Sequence, residues 1–157
     1  MSSLVAYFTA SGNGVTKKVA EKLASAIGAS IYEIKPAVPY TASDLDWRNN
    51  NSRSSVEMND KSSRPAIADT DAPVADADTI YIGYPVWWYR EPSIIDTFAD
   101  AYDFKGKKIA LFATSGSSDI GKEAGNRIEA ITGAKVTKAK RFAANVSSDE
   151  LKAWAES

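Results

Sequence analysis

The sequence predicts an α/β domain, a parallel sheet covered by helices on both faces, and two observations carry that expectation. Short uninterrupted apolar runs such as Leu4–Phe8 and Ile109–Ala113 have the length and continuity of strands buried on both sides. Between such runs the apolar period changes to that of a helix, and strand, helix, strand in this rhythm gives parallel pairing through crossovers. The 157 residues show no internal repeat, low-complexity tract or linker, so one domain over residues 1–157 is expected.

Leu4–Phe8 is the first strand. From Val15 the residues Val15, Val19, Ala20, Leu23, Ala24 and Ile27 fall on one face, with Lys17, Lys18, Glu21 and Lys22 opposite, which predicts an amphipathic helix that Gly28 stops. Ser30–Ile34 and Thr79–Gly83 follow as strands. The polar interval Pro36–Ala77 between them holds two helical candidates, Ser43–Trp47 and Arg53–Asn59, and is long enough to suggest a functional insertion. Ser93–Tyr102 then reads as a helix, Lys108–Ala113 as a strand, Ile120–Thr132 as a helix, Ala134–Lys138 as a strand and Asp149–Ala155 as a closing helix.

Two missing residue types prune the chemistry. Without Cys or His, the chain has no disulfide, thiolate nucleophile, Cys- or His-ligated metal centre or imidazole base, so reactions fall to hydroxyls, carboxylates, Lys, Tyr or a borrowed cofactor. The formal net charge of −1 argues against nucleic acid or an anionic membrane as partner. No apolar run is long enough to span a bilayer, and the amino terminus lacks the basic and apolar regions of a signal peptide, so the cytoplasm is the expected location.

In such a sheet ligands sit beyond the carboxyl ends of the strands, where strand order reverses. The first loop there is Thr9-Ala10-Ser11-Gly12-Asn13-Gly14-Val15-Thr16, with three hydroxyls, two glycines and a helix amino terminus. Unpaired N–H groups and the helix dipole suit a phosphate; the alternative is an ordinary capped turn. It is not a Walker loop, and Lys17 replaces the third glycine of the dinucleotide fingerprint. The second loop, Gly83-Tyr84-Pro85-Val86-Trp87-Trp88-Tyr89-Arg90-Glu91-Pro92, offers flat rings for stacking on a planar heteroaromatic, or else core capping or a subunit contact. The third, Thr114-Ser115-Gly116-Ser117-Ser118-Asp119, supplies polar groups for a ring edge. Together they converge on a mononucleotide with a planar ring.

These residues resemble the flavodoxins, in particular small bacterial ones with Gly-x-Pro-x-Trp-Trp in the second loop. The likeness extends to Pro39-Tyr40-Thr41, Asp44-Leu45-Asp46-Trp47, Ser52-Arg53 with Glu57-Met58, Tyr102-Asp103-Phe104-x-Gly106-Lys107 and Phe112-Ala113-Thr114-Ser115-Gly116. It implies a flavodoxin-like three-layer sandwich with a five-stranded parallel sheet of order 2-1-3-4-5. It further implies FMN, its phosphate held by Thr9, Ser11, Gly12, Asn13, Gly14, Val15 and Thr16, its ring flanked by Pro85, Val86, Trp87 and Trp88, and its edge lined by Thr114, Ser115, Gly116 and Ser117. The function implied is a low-potential electron carrier, monomeric or weakly dimeric, working between a reductase and an acceptor protein. The alternative is an FMN-dependent NAD(P)H oxidoreductase of the quinone-reductase kind, in which Arg53, Arg64 or Arg90 would pair with the nicotinamide phosphate. Two features depart from the family: Asn13-Gly14 reads as a two-residue insertion, and the chain lacks a strong acidic charge.

Overall fold

The computed structural model describes residues 2–10, 14–46, 48–60, 62–87, 90–115, 120 and 125–157. Five strands, β1 (Ser3–Tyr7), β2 (Ser30–Glu33), β3 (Thr79–Pro85), β4 (Lys108–Thr114) and β5 (Lys135–Phe142), form one sheet in the order β2-β1-β3-β4-β5, and every neighbouring pair is parallel. The expected order is therefore present. Its reversal lies between β1 and β3, where Phe8 donates its N–H to Gly83 O while Ile34 donates to Tyr7 O on the other side.

The continuous apolar runs have the predicted cause. Leu4, Ala6 and Phe8 enter one core with Ile80, Ile82 and Tyr84, whereas Val5 and Tyr7 enter a second with Tyr81, Ala110 and Phe112. Helices α3 (Ser93–Ala101) and α4 (Asn126–Thr132) cover the first face, α1 (Val15–Ile27) and α5 (Ser148–Glu156) the second. Both faces of the central strands are thus dry, which a parallel sheet between helix layers requires.

The insertion contains α2 (Arg53–Asn59), as predicted, and a 3-10 turn at Val74–Asp76. Ser43–Asp46, the described part of the helix expected over Ser43–Trp47, does not become a helix: Leu45 donates to Thr41 O and Asp46 to Ser43 O, giving turns, because Thr41 and Asp44 bond each other's N–H groups instead, and Trp47 lies outside the described residues. The fourth helix starts at Asn126 rather than Ile120, behind Gly125 in the left-handed conformation; residues 121–124 of that expectation lie outside the described residues. The fifth strand continues to Phe142, four residues past the expected end, since an edge strand tolerates the exposed Lys140. Two basic residues of this strand have partners: Lys138 Nζ caps the carbonyls of Trp154, Ala155 and Ser157, and Arg141 Nη1 donates to Ser115 O.

Candidate functional site

The carboxyl ends of β1 and β4 enclose, with the start of α1, a cavity of about 320 Å³. Thr9 and Ala10 line it from the first loop, Val15 and Thr16 from α1, Pro85 from the second loop, Thr114 and Ser115 from the third, and Ala143 and Ala144 from the chain after β5. Four segments far apart in sequence thus meet where the topology predicts a ligand. Among the described residues no charged side chain lines this space.

Its polar groups are hydroxyls. Thr16 and Thr114, both almost fully buried, share a 2.7 Å hydrogen bond between their Oγ1 atoms. Thr9 Oγ1 is buried and, among the described residues, has no partner. A buried hydroxyl without a partner costs free energy unless a ligand or water completes it, so Thr9 fits a group rich in acceptor oxygens. Gly14 is the N-cap of α1, with φ of 60° and no side chain to offer. The capped-turn reading, in which the loop hydroxyls serve as N-cap, therefore finds no support among the described residues, and Val15 and Thr16, in the first turn of α1 whose N–H groups have no intrahelical partner, line the same space.

In the aromatic loop, Trp87 has the core-capping role that the sequence left open beside ring stacking. Trp87 is not a free plate: its ring packs edge-on against Phe8 at 5.8 Å and Tyr40 at 5.5 Å. Its backbone pairs both ways with Arg90, N to O at 3.1 Å and O from N at 3.0 Å. Val86 packs on the core and donates its N–H to Thr114 O, which ties the second loop to the third. Ser11, Gly12, Asn13, Trp88, Gly116 and Ser117, also expected at the site, lie outside the described residues.

Two clusters behind this loop escaped sequence reasoning. Tyr40 donates a short hydrogen bond to Glu57 Oε1, the Arg53 guanidinium lies 3.8 Å over the Tyr40 ring, and Arg53 Nε donates to Glu57 Oε2 at 3.0 Å. Burial, then the Glu57 hydrogen bond, pushes the Tyr40 phenol well above its ordinary value. The second cluster joins Arg90, Glu91, Asp96 and Arg127. Arg127 donates to Asp96 Oδ2 at 2.6 Å and to Glu91 Oε2 at 3.1 Å, and Arg90 Nη1 lies within 3.7 Å of both carboxylates. Arg90 Nη2 also donates to Met58 O, anchoring the loop to the end of α2. Burial, with the Asp96 carboxyl alongside, pushes Glu91 up to about 8. Glu91 and Asp96 are five residues apart, but nothing in the sequence marks Arg127 as their partner.

The Flavodoxin family model matches residues 2–157. A provisionally described flavoprotein from Bacteroides eggerthii DSM 20697 is 40% identical, with a TM-score of 0.90 over 99% of this chain and 96% of that one. Another such protein, from Bacteroides uniformis ATCC 8492, is 42% identical, with a TM-score of 0.89 over 99% and 98%. A flavoprotein from Lactobacillus acidophilus NCFM, solved in complex with FMN, shares the fold at 24% identity and a TM-score of 0.71 over 98% of each chain. Comparison with curated protein sequences finds no match. With a family match that runs from residue 2 to the last and a sheet of the order that family requires, the chain belongs to the flavodoxin family.

Proposed function

We propose that the chain binds FMN at the carboxyl ends of β1, β3 and β4 and works in the cytoplasm as a low-potential one-electron carrier between protein partners. The observation that carries this reading is the cavity near the reversal of strand order, apolar but for the hydroxyl-bearing Thr9, Thr16, Thr114 and Ser115, with an unpartnered Thr9 Oγ1 and an α1 amino terminus that no side chain of its N-cap residue completes. Thr9, Thr16 and the first N–H groups of α1 would hold the phosphate. Pro85, Val86 and the Trp87 backbone would set the wall of the ring, and Ser115 its edge. When bound, the flavin supplies the redox chemistry that these side chains lack.

The donors are neutral, so the phosphate charge stays largely uncompensated in a low-dielectric setting. Added negative charge is then disfavoured, which lowers the last reduction potential and suits a strong donor. The oxidoreductase reading needed a guanidinium for a nicotinamide phosphate. Arg53 is held by Glu57 and the Val38 carbonyl, and Arg90 by Glu91, Asp96 and the Met58 carbonyl, so two of its three candidates have structural tasks. Absorbance after FMN addition and desalting, followed by stepwise photoreduction, tests the proposal: retained flavin reduced in two spectrally separate one-electron steps is expected. Steady NADPH consumption without an added reductase would establish the oxidoreductase instead, and a colourless protein would overturn both.

A further inference from the structure

Thr114 was expected at the ring edge, yet its hydroxyl points elsewhere. It lies 2.7 Å from Thr16 Oγ1, 98 residues away in sequence, and the pair is buried, with Thr114 3% and Thr16 2% exposed. Each hydroxyl has one proton to give. Across the shared bond only one of them donates, so its polarity decides what Thr16 presents to the cavity. If Thr114 donates, the Thr16 proton is released toward the cavity. If Thr16 donates, its oxygen offers the cavity only lone pairs, which repel an anion.

We propose that Thr114 is a positioning residue for the phosphate: by donating to Thr16 it fixes Thr16 as a donor into the cavity and so sets the preference for FMN over unphosphorylated flavin. This rests on the flavin reading above. Three observations support it. The cavity lining supplies no charged side chain among the described residues, so discrimination for a phosphate falls to neutral donors. Thr9, which lines the same cavity, carries a second hydroxyl that is buried and, among the described residues, without a partner. Thr114 is also held rigidly, pairing with Pro85 on β3 and Phe142 on β5 while its carbonyl accepts from Val86 N–H at 3.1 Å. Its hydroxyl is in place before any ligand arrives, which removes an ordering cost from binding.

The test compares dissociation constants of FMN and riboflavin for the wild-type chain, Thr114→Val and Thr114→Ser. Thr114→Val is expected to weaken FMN by roughly 5- to 30-fold and riboflavin by less than about 2-fold, with Thr114→Ser within about 3-fold of wild type for both. In a Thr16→Val background, Thr114→Val is expected to cost FMN nothing more, since the donor it fixes is already gone. Should Thr114→Val not fold by circular dichroism, Thr114→Ala is read against the same ratio. Equal weakening of both flavins, or FMN binding unchanged by Thr114→Val, would overturn the assignment and leave the flavin reading standing. A wild-type chain that binds neither flavin would overturn the flavin reading itself.

Discussion

Gly83 sits where the ring of Phe112 crosses β3, and a Cβ built there would lie 2.1 Å from Phe112 Cζ. Phe112 is fully buried and has nowhere to retreat. Gly83→Ala is expected to destabilise the fold by about 3 kcal/mol, read as a lower urea midpoint with an unchanged slope. Glu91 gives a pH signature of the opposite kind from most carboxylates. Its pKa rises from near 4.5 to about 8 in the fold, so the folded state holds the proton more tightly. The stability this contributes is complete below pH 4.5 and is lost as pH rises through 8. The melting temperature of the wild-type chain is therefore expected to fall between pH 5 and pH 8.5, by about 4 °C or more, and Glu91→Gln is expected to flatten that slope. Neither Gly83 nor Glu91 announces its role in the sequence, because the first depends on a ring from the next strand and the second on burial in the folded core beside the Asp96 carboxyl.

At the scale of elements, α2 is the part of the insertion that bears on the site. It holds Tyr40 through Glu57, takes Arg90 on its Met58 carbonyl, and takes the Ser93 hydroxyl on its Glu57 carbonyl. The aromatic loop is thus braced from below. Tyr40→Phe keeps the ring against Trp87 and Phe8 and is expected to cost about 1 kcal/mol for the lost hydrogen bond. Tyr40→Ala opens the nest and is expected to cost about 3 kcal/mol, with loss of near-ultraviolet circular dichroism from Trp87. The strands of the central sheet and α1 were legible because their periods are strong: unbroken for β1 and β4, helical for Val15–Ile27. The long interval was legible only as an insertion. Its Tyr40 contacts depend on packing across the fold, and no local pattern encodes that. The extra length of β5 was also hidden, since Lys138-Ala139-Lys140-Arg141 has the polarity of a loop until it is seen as a sheet edge.

For the whole molecule, the net charge of −1 hides a polarity. Residues 33–78, which follow the β2 edge, have nine acidic and five basic side chains, whereas residues 104–141, which end in the β5 edge, have nine basic and three acidic ones. Such a separation orients a charged partner without attracting it strongly from a distance. Electron exchange with a charged mediator is expected to change by less than about 3-fold between low and physiological salt, measured by stopped-flow absorbance. The position of the site was legible because it follows from strand order, and strand order follows from alternating periods. The hydroxyl pair within it was not, for Thr16 and Thr114 are ordinary residues until the sheet closes.

That closure has a kinetic consequence. The cavity needs β1, β3 and β4 side by side, and β1 meets β3 only after some 70 intervening residues have been looped out. Loops of that length form late and slowly. A ligand bound there cannot guide the chain through its rate-limiting step, since its cradle does not yet exist; it can only hold the finished fold shut. Added FMN is accordingly expected to slow unfolding in proportion to its occupancy while leaving the refolding rate untouched, so that the cofactor acts as a latch and not as a template.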